Sequence, residues 1–139
     1  MAQSIREVMT ADPRTVDTSA TVADAAREMR DGDVGSVVVV DNGKVAGIVT
    51  DRDIAVRVVA QGLDPDATRV SEAATMRPMT LTVDQTVDDA IRLVRDQNIR
   101  RILVVQEERP AGIVSLGDLA IERDTGSALA DIASEPANT

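Results

Sequence analysis

No cysteine, histidine, phenylalanine, tyrosine or tryptophan occurs in this sequence. Without cysteine there is neither a disulfide framework nor thiol chemistry. Without histidine as well, the usual zinc ligands, the commonest general base and every Ser-His or Cys-His arrangement are excluded. The missing aromatics remove the platform on which single-stranded nucleic acid stacks. With 24 acidic side chains against 15 basic ones, the net charge of −9 also opposes polyphosphate backbones, so nucleic acid is not an expected partner. The longest unbroken aliphatic run, Val37 to Val40, is far too short to span a bilayer. The opening Met-Ala-Gln-Ser-Ile-Arg-Glu lacks the basic-then-apolar layout of a signal peptide, so no membrane association and a cytoplasmic address are expected. What remains is an ordinary globular composition whose core is built from Val, Ile, Leu, Met and Ala.

The chain repeats itself. Displaced by 65 residues, positions 5–55 align with 70–120 without a gap, and Thr21, Val22, Asp24, Ala25, Gly47, Ile48, Val49 and Asp53 are among the residues that recur. The most conspicuous stretch is Gly47-Ile-Val-Thr-Asp-Arg-Asp53, which returns as Gly112-Ile-Val-Ser-Leu-Gly-Asp118. Four segments follow: a first repeat over 1–60, a linker over 61–68, a second repeat over 69–124, and a flexible tail over 125–139.

Each repeat reads as helix, strand, strand, helix, preceded by a short turn and an extended piece. Ser4 and Glu7 have the spacing of a capping box, which predicts a helical turn over 5–9. Thr21 with Asp24, and Thr86 with Asp89, mark helix starts. Behind them Val22, Ala25, Ala26 and Met29, and likewise Val87, Ala90, Ile91 and Val94, fall at helical spacing. Gly32 is placed to close the first helix in a left-handed conformation, with Asn98 the nearest candidate in the second. Asn42-Gly43 between the runs 36–40 and 45–49 is a strong hairpin signal. Its counterpart, Glu107-Glu-Arg-Pro110, reads as a longer, less specific turn. The aliphatic runs suggest strands buried on both faces. In the helix after Thr50, residues Ile54, Ala55, Val58 and Val59 are expected to face inward, with Leu119 and Ala120 doing so in the second repeat.

A tandem pair of units, each closing its second strand in Gly-aliphatic-x-Thr/Ser-x-x-Asp, resembles the CBS domain, and the pair resembles a Bateman module. Supporting stretches are Val-Met-Thr at 8–10 ahead of Pro13, the run 35–40, and Arg-Arg-Ile-Leu-Val-Val at 100–105. The resemblance covers residues 5–123. It implies an α/β (α+β) fold in which small mixed sheets pack in pseudo-twofold fashion, and a regulatory module rather than an enzyme. The ligands it implies are adenosyl compounds: AMP, ADP, ATP or S-adenosylmethionine, with no required cofactor and no metal. Carried over by position, Thr50 with Asp53 and Ser115 with Asp118 hold ribose, a role that suits a carboxylate beside a hydroxyl. Arg100 and Arg101 serve the phosphates of the first site, with Met79 and Thr80 against the base. The matching positions in the first repeat are Gly35 and Ser36, so the second site keeps its ribose motif but has no such clamp. A homodimer is the expected assembly, with a further protein partner left open.

Other readings attach to the same residues. Asp53 and Asp118 also read as ordinary first-turn acids, and Arg100-Arg101 as a solvated pair meeting nearby acids. Gly47 and Gly112 also fit a close strand approach, and the methionines fit packing filler. A non-catalytic interaction protein with empty clefts is the rival function. Asp51 and Asp53 could hold Mg²⁺ for a hydrolase, but no phosphate-binding Gly-x4-Gly-Lys-Ser/Thr loop exists and Asp51 has no acidic counterpart.

Overall fold

The helix starts are set by short-range hydrogen bonds. Thr21 Oγ1 accepts from Asp24 N at 3.1 Å while Asp24 Oδ2 accepts from Thr21 N at 3.0 Å. Thr86 and Asp89 reproduce this pair, opening α4 (Val87–Gln97) as the first opens α1 (Val22–Gly32). The computed structural model describes residues 3–115 together with Gly117 and Leu119. Val22, Ala25 and Met29 of α1 are buried, whereas Ala26 is exposed at the edge of the apolar stripe. Helix α1 does not close on Gly32, as its sequence suggests. Gly32 is still helical, and the left-handed residue is Asp33 (φ 52°), aligned with Asn98 (φ 53°). A short polar side chain tolerates that conformation, so both repeats close at the same position.

Each sheet is mixed and four-stranded. One has the order β2 (Thr15–Asp17), β3 (Ser36–Asp41), β4 (Lys44–Thr50), β5 (Thr75–Met76). The other has β1 (Thr10–Ala11), β8 (Arg109–Ser115), β7 (Arg101–Gln106), β6 (Thr80–Thr82). Strand β2 runs parallel to β3 and β6 parallel to β7, an arrangement that needs a crossover, supplied by α1 and α4. The interiors of β3 and β7 are buried on both faces, as the aliphatic runs predict, whereas β4 alternates. Both hairpins turn through two residues with positive φ: Asn42 and Gly43 in one, Glu107 and Glu108 in the other. The 107–110 stretch is therefore not a longer turn. It repeats the geometry of Asn-Gly with residues that dislike it.

Neither compact unit is built from one repeat. One, here the N-unit, comprises Asp12–Pro78 and Glu107–Pro110. The other, the C-unit, gathers the described residues of Met1–Ala11, Met79–Gln106 and Ala111–Thr139. The leading arm of each repeat has crossed into the sheet of the other. In the C-unit, Ile5 is fully buried with Val87, Ala90, Ile102 and Val114, and Ile5 N donates to Gln85 O at 2.8 Å. In the N-unit, Val70, 65 residues on, is equally buried with Val22, Val37 and Val49. Each such side chain is worth about 1.5–3 kcal/mol of burial. The arms then add edge strands, with β1 antiparallel to β8 and β5 antiparallel to β4. This arrangement explains Gly47 and Gly112. A Cβ on Gly47 would lie 2.8 Å from both Met76 Sδ and Thr75 O, and one on Gly112 would lie 2.9 Å from Thr10 O. The glycines admit the arms.

Candidate functional site

Thr50 ends β4, and its box with Asp53 starts the short helix α2 (Asp51–Ile54). Asp53 N donates to Thr50 Oγ1 at 3.1 Å and Thr50 N donates to Asp53 Oδ2 at 2.9 Å. Ser36 pairs with Thr50 across the sheet, and Asp51 N donates to Gly35 O at 3.0 Å, so the junction is fixed by backbone on both sides. The hydroxyl-x-x-acid spacing is thus first of all a helix cap. It recurs at Ser4–Glu7, Thr21–Asp24 and Thr86–Asp89. What distinguishes Thr50 and Asp53 is the strand end they occupy. Among the described residues, Asp53 Oδ1 and the Thr50 hydroxyl proton have no hydrogen-bond partner, and both residues are half-exposed. A vicinal diol could donate to the one and accept from the other.

The remaining described candidates lie in the C-unit. Arg100 and Arg101 stand at the start of β7, and Ser115 ends the neighbouring β8. Because a two-residue turn joins these strands, Ser115 and the arginines share one end of the sheet. Met79 and Thr80 open β6, whose Thr80 registers with Leu103, and so belong to that same end. Both arginines are exposed, and among the described residues neither forms an ion pair or a side-chain hydrogen bond. For the alternative reading, a solvated pair meeting nearby acids, no such acid pairs with them among the described residues. Met79 is 47% exposed. Asp118 and Ala120 lie outside the described residues, as does the 125–139 tail. Thr50 and Asp53 belong to the N-unit.

Electrostatic tuning is seen at the helix caps. Asp24 is held below the ordinary aspartate range chiefly by the Thr21 N–H, with Thr21 hydroxyl and Arg27 assisting. Asp89 is lowered chiefly by the Thr86 N–H, with Arg92 helping. Among the described residues no cluster of three or more potential metal-ligating side chains occurs.

The helix after Thr50 departs from its expected face. Beyond Ile54 the backbone widens into a π-helical stretch, Ala55–Val59. Val58 is buried and Ile54 packs on the core, but Ala55 and Val59 are exposed, Val59 by 66%. The i→i+5 ladder shifts the side-chain register away from the 3.6-residue spacing read in the sequence. Sequence reasoning also missed Arg57, which lies in this stretch. Its Nη1 donates to Ala73 O at 3.0 Å and to Ala74 O at 3.4 Å.

Residues 5–60 and 70–123 each match the CBS domain. The chain is 38% identical to the CBS domain-containing protein YhcV of Bacillus subtilis over 133 residues, covering 93% of this chain and 94% of that one. Hypoxic response protein 1 of Mycobacterium tuberculosis is 30% identical over 116 residues, covering 83% and 81%. Among solved structures, the CBS domain protein PAE2072 of Pyrobaculum aerophilum, complexed with AMP, superimposes with a TM-score of 0.76 at 30% identity, covering 86% of this chain and 92% of that one.

Proposed function

Because this chain is a member of the CBS-domain family, a tandem pair of regulatory rather than catalytic modules, we propose that it senses adenine nucleotides in the cytoplasm as a homodimer. The ligand is AMP, ADP, ATP or a related adenosyl compound such as S-adenosylmethionine. Thr50 and Asp53 take the ribose, Arg100 and Arg101 the phosphates, and Met79 with Thr80 flanks the base. Ser115 and Asp118 form a second ribose set. The observation that carries this reading is the adjacent pair of exposed arginines at the start of β7, at the same sheet end as Ser115 and Thr80 and without an acidic partner among the described residues, in a chain of net charge −9. Adjacent exposed cations with no carboxylate partner among the described residues suit an anionic ligand, and guanidinium forks bind phosphate oxygens bidentately. The AMP-complexed relative adds support. Binding biases the protein's conformational equilibrium by no more than the ligand's differential affinity for the two states.

Calorimetric titration with AMP, ADP and ATP tests the proposal. Asp53→Ala abolishes the heat of binding. Asp53→Asn, which keeps an oxygen for the Thr50 N–H, retains the cap yet weakens binding. Ligand at 100 times its dissociation constant raises stability by about 2.7 kcal/mol, readable in a circular-dichroism melt. Unchanged titration in Asp53→Ala overturns the site, and the absence of any shift with every adenosyl ligand overturns the function. The second outcome favours a non-catalytic interaction protein. The exposed Val56, Val59 and Leu63 on and beyond the π-helical stretch suit that alternative.

A further inference from the structure

Arg57 connects two segments that the sequence keeps apart. It lies in the middle of the π-helical stretch that continues α2, where Ala60 N bonds to Ala55 O at 2.9 Å and Leu63 N to Val58 O at 3.0 Å. Such stretches are rare and frequently fall at functional sites. Here Val58 stays in the core and its neighbour Arg57 reaches the carbonyls of Ala73 and Ala74. Those carbonyls end α3 (Val70–Ala73), where helix acceptors lack intrahelical donors. Among the described residues Arg57 has no acidic partner, so its charge is spent on the arm alone.

The arm leads somewhere. From Ala74 it runs through Thr75 and Met76, paired with Ile48 and Gly47, to Arg77, whose N–H bonds to Ala46 O at 2.9 Å. Met79 and Thr80 follow after Pro78. One guanidinium therefore ties the helix that begins at the Thr50–Asp53 box to the segment that becomes Met79–Thr80. The aligned residue of the second repeat is Glu122, whose carboxylate cannot donate to a carbonyl.

We propose that Arg57 is a positioning residue: a latch that holds the second repeat's arm against the helix starting at Thr50 and Asp53, and thereby couples ligand binding to closure of the β4–β5 edge. The ligand half of this proposal rests on the nucleotide reading above; the latch half does not.

The test is amide hydrogen exchange of residues 74–77 in full-length wild type, Arg57→Lys and Arg57→Ala, with and without AMP. Loss of charge-assisted hydrogen bonds in Arg57→Ala speeds exchange of these amides by about tenfold or more, while protection of Val37–Val39 is unchanged. Arg57→Lys, which still donates to a carbonyl, restores most of the protection. AMP affinity falls several-fold in Arg57→Ala and less in Arg57→Lys. Unaltered arm exchange in Arg57→Ala overturns the latch, as does equal loss in both variants. An arm that opens with AMP affinity untouched overturns the coupling. If wild type binds none of AMP, ADP, ATP and S-adenosylmethionine, the nucleotide reading and the coupling fall, and arm exchange alone decides the latch; if it binds one of the others, that ligand replaces AMP in the same comparison.

Discussion

Replacing Gly47 with alanine puts a methyl group where the second repeat's arm already lies. The added carbon would sit 2.8 Å from Met76 Sδ, 2.8 Å from Thr75 O and 3.4 Å from Met76 Cα. The thioether is flexible and can swing aside. The Thr75 carbonyl cannot, because β5 is held to β4 through the Gly47–Met76 and Ile48–Thr75 pairs and by Arg77 N to Ala46 O. The strand has to move as a whole and loosen those bonds. Forcing a methyl group into a closed contact costs about 1–3 kcal/mol. Reduced freedom of the unfolded chain returns about 0.4–1 kcal/mol. The expected net loss is about 1–2 kcal/mol, or about 3–5 °C of Tm per kcal/mol in a chain of this size. Urea and thermal unfolding followed by circular dichroism read it directly. Gly47→Ala on a Met76→Ala background keeps most of the cost, because the carbonyl is the obstacle. A Gly47→Ala protein as stable as wild type would refute the account of these glycines.

The other hairpin gives a prediction of opposite sign. Glu107→Asn with Glu108→Gly relieves two left-handed residues at about 1–2 kcal/mol each for unfavourable side chains, against an exposed Lys44–Glu108 ion pair worth at most about 1 kcal/mol. The double variant therefore melts higher, and an unchanged or lower Tm contradicts the turn geometry. On the acid side, the lowered Asp24 and Asp89 contribute stability that is complete above the ordinary value of 3.8 and is lost as pH falls through their depressed folded values. Urea midpoints should therefore fall steeply below about pH 4. The combination of Asp24→Asn and Asp89→Asn should flatten that slope, and an identical slope would show that the caps are not its source.

Features governed by neighbouring residues were legible in the sequence. The Thr21–Asp24 and Thr86–Asp89 caps, the Asn42-Gly43 turn and the buried interiors of β3 and β7 all depend on contacts within a few positions. The repeat itself made Asn98 legible, yet Gly32 drew attention from Asp33, because glycine is the commoner left-handed residue. Glu107 and Glu108 concealed a tight turn whose shape is imposed by the paired strands. Val59 was misplaced because helical periodicity assumes 3.6 residues per turn and the chain switches to a wider one. The crossing of the arms leaves no local trace, since Ile5 with Val87, or Gly47 with Met76, are pairings across long stretches of chain. For the candidate site, residue types and strand ends were legible. The hydrogen bonds by which Asp53 caps its helix, and the lack of an acidic partner for Arg100 and Arg101 among the described residues, are properties of the folded chain that residue spacing does not carry.

The crossed arms also impose an order of events during synthesis. The N-unit's core draws on residues no later than Ala74, so that core can close soon after the second arm has been made. Ile5, by contrast, emerges more than a hundred residues ahead of some of the residues that bury it, since its neighbours include Val114 and Leu119. The opening segment must wait, with an apolar side chain unburied, until almost all of the described chain exists. It is made long before its partners and is the last of these segments to find its place, so the nascent chain is exposed to misassociation there for longest.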